Sequence, residues 1–168
     1  ACNRKSYNLD TWAMNDKKMN HIVSSSYDTN LIITEGSMGL YDGVAQKGSS
    51  GFGSTAELSK KFGWPVILVL NVSGQAQSAA ASALGFIKYN KSINVAGVIL
   101  NFVASERHEF LIKKGMEQSG INVLGVISRQ KELLLPERHL GLVQAQEIDS
   151  LERKIQTYAK LIKNNINL

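Results

Sequence analysis

A chain of 168 residues is about the length of one globular domain, and a composition of 43% hydrophobic and 20% charged residues excludes a disordered or collagen-like protein. The longest apolar runs, such as "PVILVL" from Pro65, are too short to cross a bilayer, so we expect no membrane association. The single cysteine, Cys2, allows no internal disulfide and favours a cytoplasmic protein. The net charge of +5 admits nucleic acid as a partner, but scattered lysine pairs are more typical of solvated helix faces.

Four short apolar runs predict buried strands, because they are rich in valine and isoleucine and lack strict alternation with polar residues. They are "LIIT" at 31–34, "VILVLN" at 66–71, "VAGVILNFV" at 95–103 and "VLGVI" at 123–127. Helical patterns lie at 55–62, 75–89, 106–119 and 148–162. Because strand and helix alternate, the sequence predicts an α/β fold in which a parallel sheet is flanked by helices.

The last helical pattern carries an apolar stripe that we expect to pack on the sheet. The stripe consists of Ile148, Leu151, Ile155, Tyr158 and Ile162. We see no internal repeat, so one domain accounts for the whole chain.

The segment "GSSGFGST", residues 48–55, has the glycine spacing of a phosphate-binding loop but carries Ser54 where that loop has its lysine. The segment also does not directly follow a strand. Ser54 and Glu57 fit a capping box that begins a helix, and Gly63 fits the cap that ends it. We therefore predict a flexible loop rather than a nucleotide-binding one, leading to a helix N-terminus that suits a carboxylate or phosphate.

An acidic residue follows the first apolar run in "LIITEGSMGLYDG". If 31–34 is a strand, Glu35 lies at the carboxyl edge of the sheet, where ligands of α/β proteins bind. Asp42 follows in the same loop, and hard carboxylate oxygens suit Mg²⁺. The alternative is that Glu35 caps a turn and that Asp42 forms one with Gly43. Spacing alone leaves both interpretations open.

Five further segments occur in an order that points to a known family. They are "EGSMGLYDG", "GSTAELSKKFGWPVILVLN", "SGQAQSAAASALGF", "GVILNFVASERHE" and "LPERHLGL". Together with "NLDTW" they resemble the cobyrinic acid a,c-diamide synthases, and "GLYDG" and "LPERHLGL" favour this family over the cobyric acid and dethiobiotin synthetases. The resemblance implies a P-loop-NTPase-like fold. It also implies ATP- and Mg²⁺-dependent amidation of corrin carboxylates in cobalamin synthesis, through an acyl phosphate and with ammonia from glutamine.

The resemblance runs from about Asn8 to Leu142 and covers only the middle of the family's protein. It implies that residues 1–168 form a partial ATP-dependent synthetase domain, truncated before the first strand, without the phosphate-loop segment or the C-terminal glutamine amidotransferase domain, and inactive alone. The expected partners are a corrinoid substrate and a glutamine amidotransferase domain or subunit. We leave a homodimer open, and we expect neither nucleic acid nor a membrane as a partner.

Position by position, the resemblance assigns a catalytic role to Glu35 and Asp42. Glu35 would be the Mg²⁺ ligand, and Asp42 would orient the activated carboxylate or its phosphoryl group. Tyr41, Ser54 and Thr55 would line the corrin side, which makes the glycine-rich segment a substrate loop.

Asn101, at the end of "GVILN", matches the position where related synthetases recognise adenine with a side-chain amide; the alternative is a turn residue at the end of a strand.

Three residues depart from the family's pattern. Asn71 replaces an aspartate, which removes a metal or water partner, and Ser128 replaces a proline near the adenine pocket. Thr11 replaces the proline of "NLDPW", and we expect this change to matter least.

Two "ERH" triplets contain His108 and His139, but without a third ligand they do not predict a zinc site. We interpret both as surface or interdomain contacts. No G-x-S-x-G segment indicates a serine nucleophile.

Two other functions stay open: a non-catalytic remnant or subunit that keeps the fold as an interaction domain and, ranked last, a nucleic-acid-binding module.

Overall fold

The computed structural model describes residues 4–130, 137–138, 141–142 and 151–167, and for the two short pairs only the backbone. In chain order the elements are α1 (Asp16–Ser24), α2 (Thr55–Phe62), β1 (Val66–Asn71), α3 (Ser78–Tyr89), β2 (Val95–Val103), α4 (Glu106–Gln118), β3 (Val123–Ser128), β4 (Glu137–Arg138), β5 (Gly141–Leu142) and α5 (Leu151–Asn165). None of the helices in this described part combines the length and apolar character that a membrane span requires.

The main sheet has three parallel strands in the order β1-β2-β3. β2 pairs with β3 in parallel. On its other side, Val66 N–H donates to Asn94 O at 2.8 Å, and Val72 N–H donates to Asn101 O at 3.0 Å. Because the partner numbers rise together, β1 is also parallel to β2. The predicted α/β class and parallel sheet are therefore confirmed. A separate antiparallel pair joins β4 and β5.

The first predicted strand is wrong. Residues 31–36 have no regular secondary structure, and Leu31, Ile32 and Ile33 are exposed, Ile33 to 84%. A strand is held by backbone hydrogen bonds to a neighbour, and the main sheet offers this run none. The apolar, β-branched composition of the run indicates a preference for extended backbone but does not supply a partner.

The strands differ in how far they are covered. In β2, residues 98–100 are consecutively buried, as expected of a strand with packing on both faces. β1 buries Leu68 and Leu70 but exposes Ile67 and Val69, the latter to 58%. The prediction of two covered faces is correct for β2 and wrong for β1, which lies at the edge of the sheet.

The chain divides into two compact units. Of the described residues, the sheet unit contains Ile67–Gly85 and those from Val95 onward, and the loop unit contains residues 4–66 together with Phe86–Asn94. Each has its own buried residues. In the sheet unit, Leu100 of β2 and Ile112 and Met116 of α4 are fully buried.

Helix α5 lies in the sheet unit and contacts β3. Just beyond its end, Asn167 N–H donates to Leu124 O at 2.8 Å. Helix α5 therefore contacts the sheet as predicted. However, no residue of α5 is buried, and Ile162 is exposed. The first residue of the predicted stripe, Ile148, lies outside the described residues.

Helix α1, in the loop unit, was not predicted from the sequence. Asn15 caps its first turn by accepting a hydrogen bond from Lys18 N–H at 2.9 Å, and Met19 and Val23 are its buried residues. Two buried positions are too short a periodic pattern to distinguish a helix from a polar loop. An ion pair of 2.8 Å between Asp16 and Lys61 joins α1 to α2.

Candidate functional site

The glycine-rich loop, residues 48–54, is closed by hydrogen bonds from its own backbone. Within the loop, Gly48 N–H donates to Gly51 O. Ser49 N–H donates to Trp12 O, the N–H groups of Ser50 and Gly51 donate to Thr11 O, and Gly53 N–H donates to Thr11 Oγ1. The N–H groups of Phe52 and Ser54 donate to the Glu57 carboxylate. Every N–H group from 48 to 54 thus has an acceptor inside the protein. The loop predicted to be flexible is thus held by internal hydrogen bonds, and this conformation leaves no backbone donor of the loop directed at a phosphate.

Thr11 is the centre of this network. It is 3% exposed, and its hydroxyl donates to Glu57 Oε2 at 2.6 Å while accepting from Gly53 N–H at 2.9 Å. Its carbonyl oxygen accepts two more bonds, from Ser50 and Gly51, at 2.9 Å each. Of the departures from the family's pattern, Thr11 thus has long-range contacts that the sequence did not indicate. Proline has no hydroxyl and could not make the two side-chain bonds.

The predicted capping box at the start of α2 is confirmed. Ser54 Oγ accepts from Glu57 N–H at 3.3 Å, and the Glu57 carboxylate accepts from Ser54 N–H at 3.2 Å. Gly63 ends the helix in the left-handed conformation, at φ 67°. Burial raises the pKa of Glu57, but the hydrogen bonds from the Thr11 hydroxyl and the loop N–H groups outweigh it, so the pKa lies below its usual value.

At the N-terminus of α2, the N–H groups of Ser54, Ala56 and Glu57 already have acceptors in this chain. Ser54 is buried, and its hydroxyl oxygen accepts the capping hydrogen bond from Glu57 N–H. Ala56 N–H donates to Leu40 O at 2.9 Å. Free N–H groups are what make a helix N-terminus attract an anion. Three of the donors that the predicted anion site would use are therefore already occupied.

Glu35 lies in the irregular segment that replaces the predicted strand, and it is exposed. A Cβ on the next residue, Gly36, would lie 2.6 Å from Thr55 Oγ1, so the backbone beside Glu35 packs on the first residue of α2. Among the described residues, none forms a hydrogen bond or ion pair with the Glu35 carboxylate. Glu35 thus has an uncommitted carboxylate beside the start of α2.

Asp42 closes a turn with Gly39, and not with Gly43 as the alternative interpretation predicts. Its Oδ2 accepts from Gly39 N–H at 3.1 Å, and its own N–H donates to Gly39 O at 3.0 Å. Within the described ranges, no group of three or more His, Cys, Asp or Glu side chains could enclose a metal ion. Mg²⁺ commonly takes one or two carboxylates and completes its shell with water and phosphate oxygens. The carboxylates of Glu35 and Asp42 are both exposed and are oxygen donors of the kind that Mg²⁺ binds.

Tyr41 is held against the end of α3. Its hydroxyl donates to Phe86 O at 2.7 Å, and its ring lies 4.7 Å from that of Tyr89 and 6.1 Å from that of Phe86, centroid to centroid. Burial raises the pKa of the Tyr41 phenol, so its hydroxyl stays protonated and remains a donor at neutral pH.

Asn101, in the sheet unit, lies where the regular pairing of β2 with β3 is interrupted. Its Oδ1 accepts from Phe102 N–H at 3.0 Å, and Phe102 has φ 64° at a shift of register. Asn71 behaves similarly, with Oδ1 accepting from Ser73 N–H at 3.0 Å. Both side-chain oxygens thus stabilise local backbone, but Asn101 lies within β2, which runs to Val103, and not in a turn at the end of the strand. Its amide nitrogen remains the group suited to recognising a ligand acceptor.

His108 has a role that the sequence did not indicate. Nδ1 accepts from Ala104 N–H at 3.0 Å, and Nε2 lies 2.6 Å from Gln75 O. This pattern requires the neutral ring with its proton on Nε2, donating to the carbonyl. The expected surface or interdomain contact is therefore wrong for His108, which ties the start of α4 to the segment before α3. His139 lies outside the described residues.

The predicted site residues fall into the two units. The loop unit contains Glu35, Tyr41, Asp42, Ser54 and Thr55, and the sheet unit contains Asn101.

The model of the CobQ/CobB/MinD/ParA nucleotide binding domain matches residues 15–143. This chain belongs to that family. The P-loop-NTPase-like fold inferred from the resemblance is thereby confirmed.

Individual relatives of this nucleotide-binding domain are a,c-diamide synthases. The hydrogenobyrinate a,c-diamide synthase of Rhodobacter capsulatus is 49% identical over 168 residues, which are 100% of this chain and 39% of that protein. That of Mesorhizobium japonicum is 44% identical over 163 residues, 96% of this chain and 37% of the relative. The cobyrinate a,c-diamide synthase of Dehalococcoides mccartyi is 39% identical over 170 residues, 100% of this chain and 36% of the relative.

The resemblance to the a,c-diamide synthases is thus confirmed, and the chain spans less than two fifths of the length of these relatives. No solved structure matches the chain.

Proposed function

We propose that this chain is the nucleotide-binding part of an enzyme that amidates the a and c carboxylates of cobyrinic or hydrogenobyrinic acid in cobalamin biosynthesis. The observation that carries the proposal is the 49% identity, over the whole chain, to hydrogenobyrinate a,c-diamide synthase. Since the chain spans 39% of that relative, we assign ammonia production to a glutamine amidotransferase domain or subunit outside this sequence. The chain alone is expected to be inactive.

The proposed reaction has two steps. A substrate carboxylate oxygen attacks the γ-phosphorus of ATP, a new P–O bond forms an acyl phosphate, and ADP leaves. Ammonia then attacks the carbonyl carbon, the C–O bond to phosphate breaks, and loss of a proton leaves the amide. Phosphoryl transfer asks a protein mainly to position the reactants and to neutralise charge.

Glu35 and Asp42 are the proposed catalytic residues. The exposed Glu35 carboxylate would hold Mg²⁺, which supplies positive charge next to the ATP phosphates. Asp42 would orient the carboxylate that becomes activated or its phosphoryl group. The bond from Gly39 N–H to its Oδ2 supports this role, since it restricts the direction of the side chain.

The substrate side of the proposed site consists of Tyr41, Ser54 and Thr55. Tyr41 and Thr55 are partly exposed, whereas the buried Ser54 hydroxyl would act through the cap that holds the loop. In the sheet unit, Asn101 would recognise the adenine of ATP with its side-chain amide. The orientation of that amide is supported by the bond that its oxygen accepts from Phe102 N–H.

Replacing Glu35 by glutamine in a full-length synthase that contains this sequence tests the central assignment. With hydrogenobyrinic acid, ATP, Mg²⁺ and glutamine supplied, Glu35→Gln should abolish mono- and diamide formation, measured by mass spectrometry. Glu117→Gln, an equal change at an exposed residue of α4, should leave the rate unchanged. Near-normal turnover of Glu35→Gln would contradict the role given to this residue.

A second candidate function is a non-catalytic domain that keeps the fold as an interaction module. It is motivated by the lack of a lysine-bearing phosphate loop in residues 1–168, where the one glycine-rich loop with similar spacing carries Ser54 in place of the lysine. Calorimetric titration of this chain with ATP and Mg²⁺ separates the two. Micromolar affinity for ATP would contradict the non-catalytic function, and no binding of ATP would support it.

A further inference from the structure

An open recess of about 510 Å³ lies between Trp12 and the segment 44–49 of the loop unit. We propose that this recess binds the edge of a carboxylated corrin, with the macrocycle against the Trp12 indole and a peripheral carboxylate at the Lys47 ammonium. The inference rests on the proposed function and adds to its substrate loop two contacts, Trp12 and Lys47, that neither the sequence motifs nor the relatives' names assign.

The apolar wall of the recess is exposed although its backbone is fixed. Trp12 is 47% exposed. Its backbone N–H donates to Asp10 Oδ1 at 2.8 Å, and its carbonyl oxygen accepts from Ser49 N–H at 2.7 Å. Val44, 48% exposed, is held by its N–H bond of 2.8 Å to Phe52 O. Large apolar groups kept in water on an ordered backbone are typical of a preformed contact surface.

Gly48 explains how the loop approaches the indole so closely. A Cβ on Gly48 would collide with the Trp12 carbonyl oxygen and would lie 2.6 Å from Cδ1 of the ring. Backbone atoms cannot move aside as a flexible side chain can. The width of the recess at this point therefore depends on a glycine, and any larger residue would displace Trp12 or the loop.

Lys47 supplies the charge of the recess. It is exposed, and among the described residues no carboxylate forms an ion pair with it. The Asp16 carboxylate, whose pKa is lowered mainly by its bond to Lys61 and to a smaller extent by the charge of Lys47, is already paired with Lys61 at 2.8 Å. An apolar ring system edged with carboxylates matches an indole wall with a free ammonium beside it, and the chain's net charge of +5 adds long-range attraction.

Nuclear magnetic resonance can test the site on this chain alone. Its two tryptophans, Trp12 and Trp64, give two indole N–H resonances that the variants Trp12→Phe and Trp64→Phe assign. On titration with hydrogenobyrinic acid, we expect a saturable shift of the Trp12 resonance and an unchanged Trp64 resonance. A corrinoid with all its carboxylates amidated should bind more weakly.

Charge variants provide the second measurement. Lys47→Glu should weaken the binding of hydrogenobyrinic acid about tenfold, because an attraction becomes a repulsion. Lys114→Glu, the same charge change on α4 outside the recess, should have no effect.

A shift of Trp64 instead of Trp12, equal affinity of Lys47→Glu, a Trp12 response to ATP rather than to the corrinoid, or no binding would each overturn the inference. Amide formation by the full-length synthase judges the proposed function separately. Amidation without a Trp12 response would refute only the site, and corrinoid binding at Trp12 without amidation would refute only the function.

Discussion

The Thr11 hydroxyl donates a 2.6 Å hydrogen bond to Oε2 of Glu57, a residue 46 positions further along the chain. The same oxygen of Thr11 accepts from Gly53 N–H at 2.9 Å. One small side chain therefore joins the "NLDTW" segment, the glycine-rich loop and the first turn of α2. The shape of the proposed substrate loop depends on this hydroxyl, which the sequence presents only as a minor departure from a proline.

Replacing Thr11 by valine should destabilise the chain by about 1–2 kcal/mol, because the shape is kept while Gly53 N–H and the Glu57 carboxylate each lose a partner. Thr11→Ser retains the hydroxyl and should cost less. Urea titration followed by circular dichroism measures both. Equal losses for valine and serine would show that the methyl group matters and the hydroxyl does not.

Glu57→Gln should also lower the free energy of unfolding at neutral pH, by about 1–3 kcal/mol, since a neutral amide accepts the loop N–H groups more weakly. The folded-state pKa of Glu57 lies below its ordinary value of 4.5. Its contribution to stability is therefore complete above that value and is lost as the pH falls through the folded pKa.

The difference in stability between the wild-type chain and Glu57→Gln should accordingly narrow as the pH falls from about 5 to about 3. Urea titrations across this range measure it. Glu117→Gln, at an exposed position of α4, serves as the control for a change of charge alone. A difference that stays constant with pH would contradict the lowered pKa.

The parts of the fold that could be predicted are those in which local signals agree. In α2, the cap at Ser54, its partner Glu57 and the terminal Gly63 all specify the same boundaries, and the observed helix runs over Thr55–Phe62 as predicted. The run 31–34 has equally clear β-forming residues but no hydrogen-bonded neighbour in the main sheet. Composition determines the preference of a segment, whereas pairing depends on what else lies beside it.

The candidate site shows the same division. Motif positions identified Glu35, Asp42 and Asn101 as candidates, yet the contacts made by Thr11 and His108 could not be inferred from spacing. Both depend on partners distant in sequence, at Glu57 and at Gln75. A long-range hydrogen bond leaves no periodic pattern in a sequence, so only the folded chain reveals it.

Tyr41→Phe should cost about 1 kcal/mol of stability, because the ring contacts stay while Phe86 O loses its donor. Tyr7→Phe, at an exposed position, is the control. Since the folded pKa of Tyr41 is raised above 10.0, its contribution should be present at neutral pH and be lost as the pH rises from about 10. Equal stability of the two variants in urea would show that the hydroxyl bond contributes nothing.

His108→Ala should accelerate the hydrogen exchange of Ala104 N–H, because that group loses its acceptor on Nδ1. The chain should also lose about 1–2 kcal/mol of stability, since Gln75 O loses its donor as well. Site-resolved exchange by nuclear magnetic resonance provides the measurement. His21→Ala, on an exposed position of α1, should change neither quantity, and unchanged exchange at Ala104 in His108→Ala would refute the bond.

Ile33 and Ile112 provide a matched test of the corrected first strand. Ile33 is 84% exposed and Ile112 is fully buried. Ile33→Ala should therefore change the free energy of unfolding by less than about 0.5 kcal/mol, whereas Ile112→Ala should lower it by about 2–5 kcal/mol through lost burial and an unfilled cavity. Urea titration of the two variants side by side decides the matter. A comparable loss in both would mean that the run 31–34 is packed in solution as the sequence pattern predicted, and would restore Glu35 to the end of a buried strand.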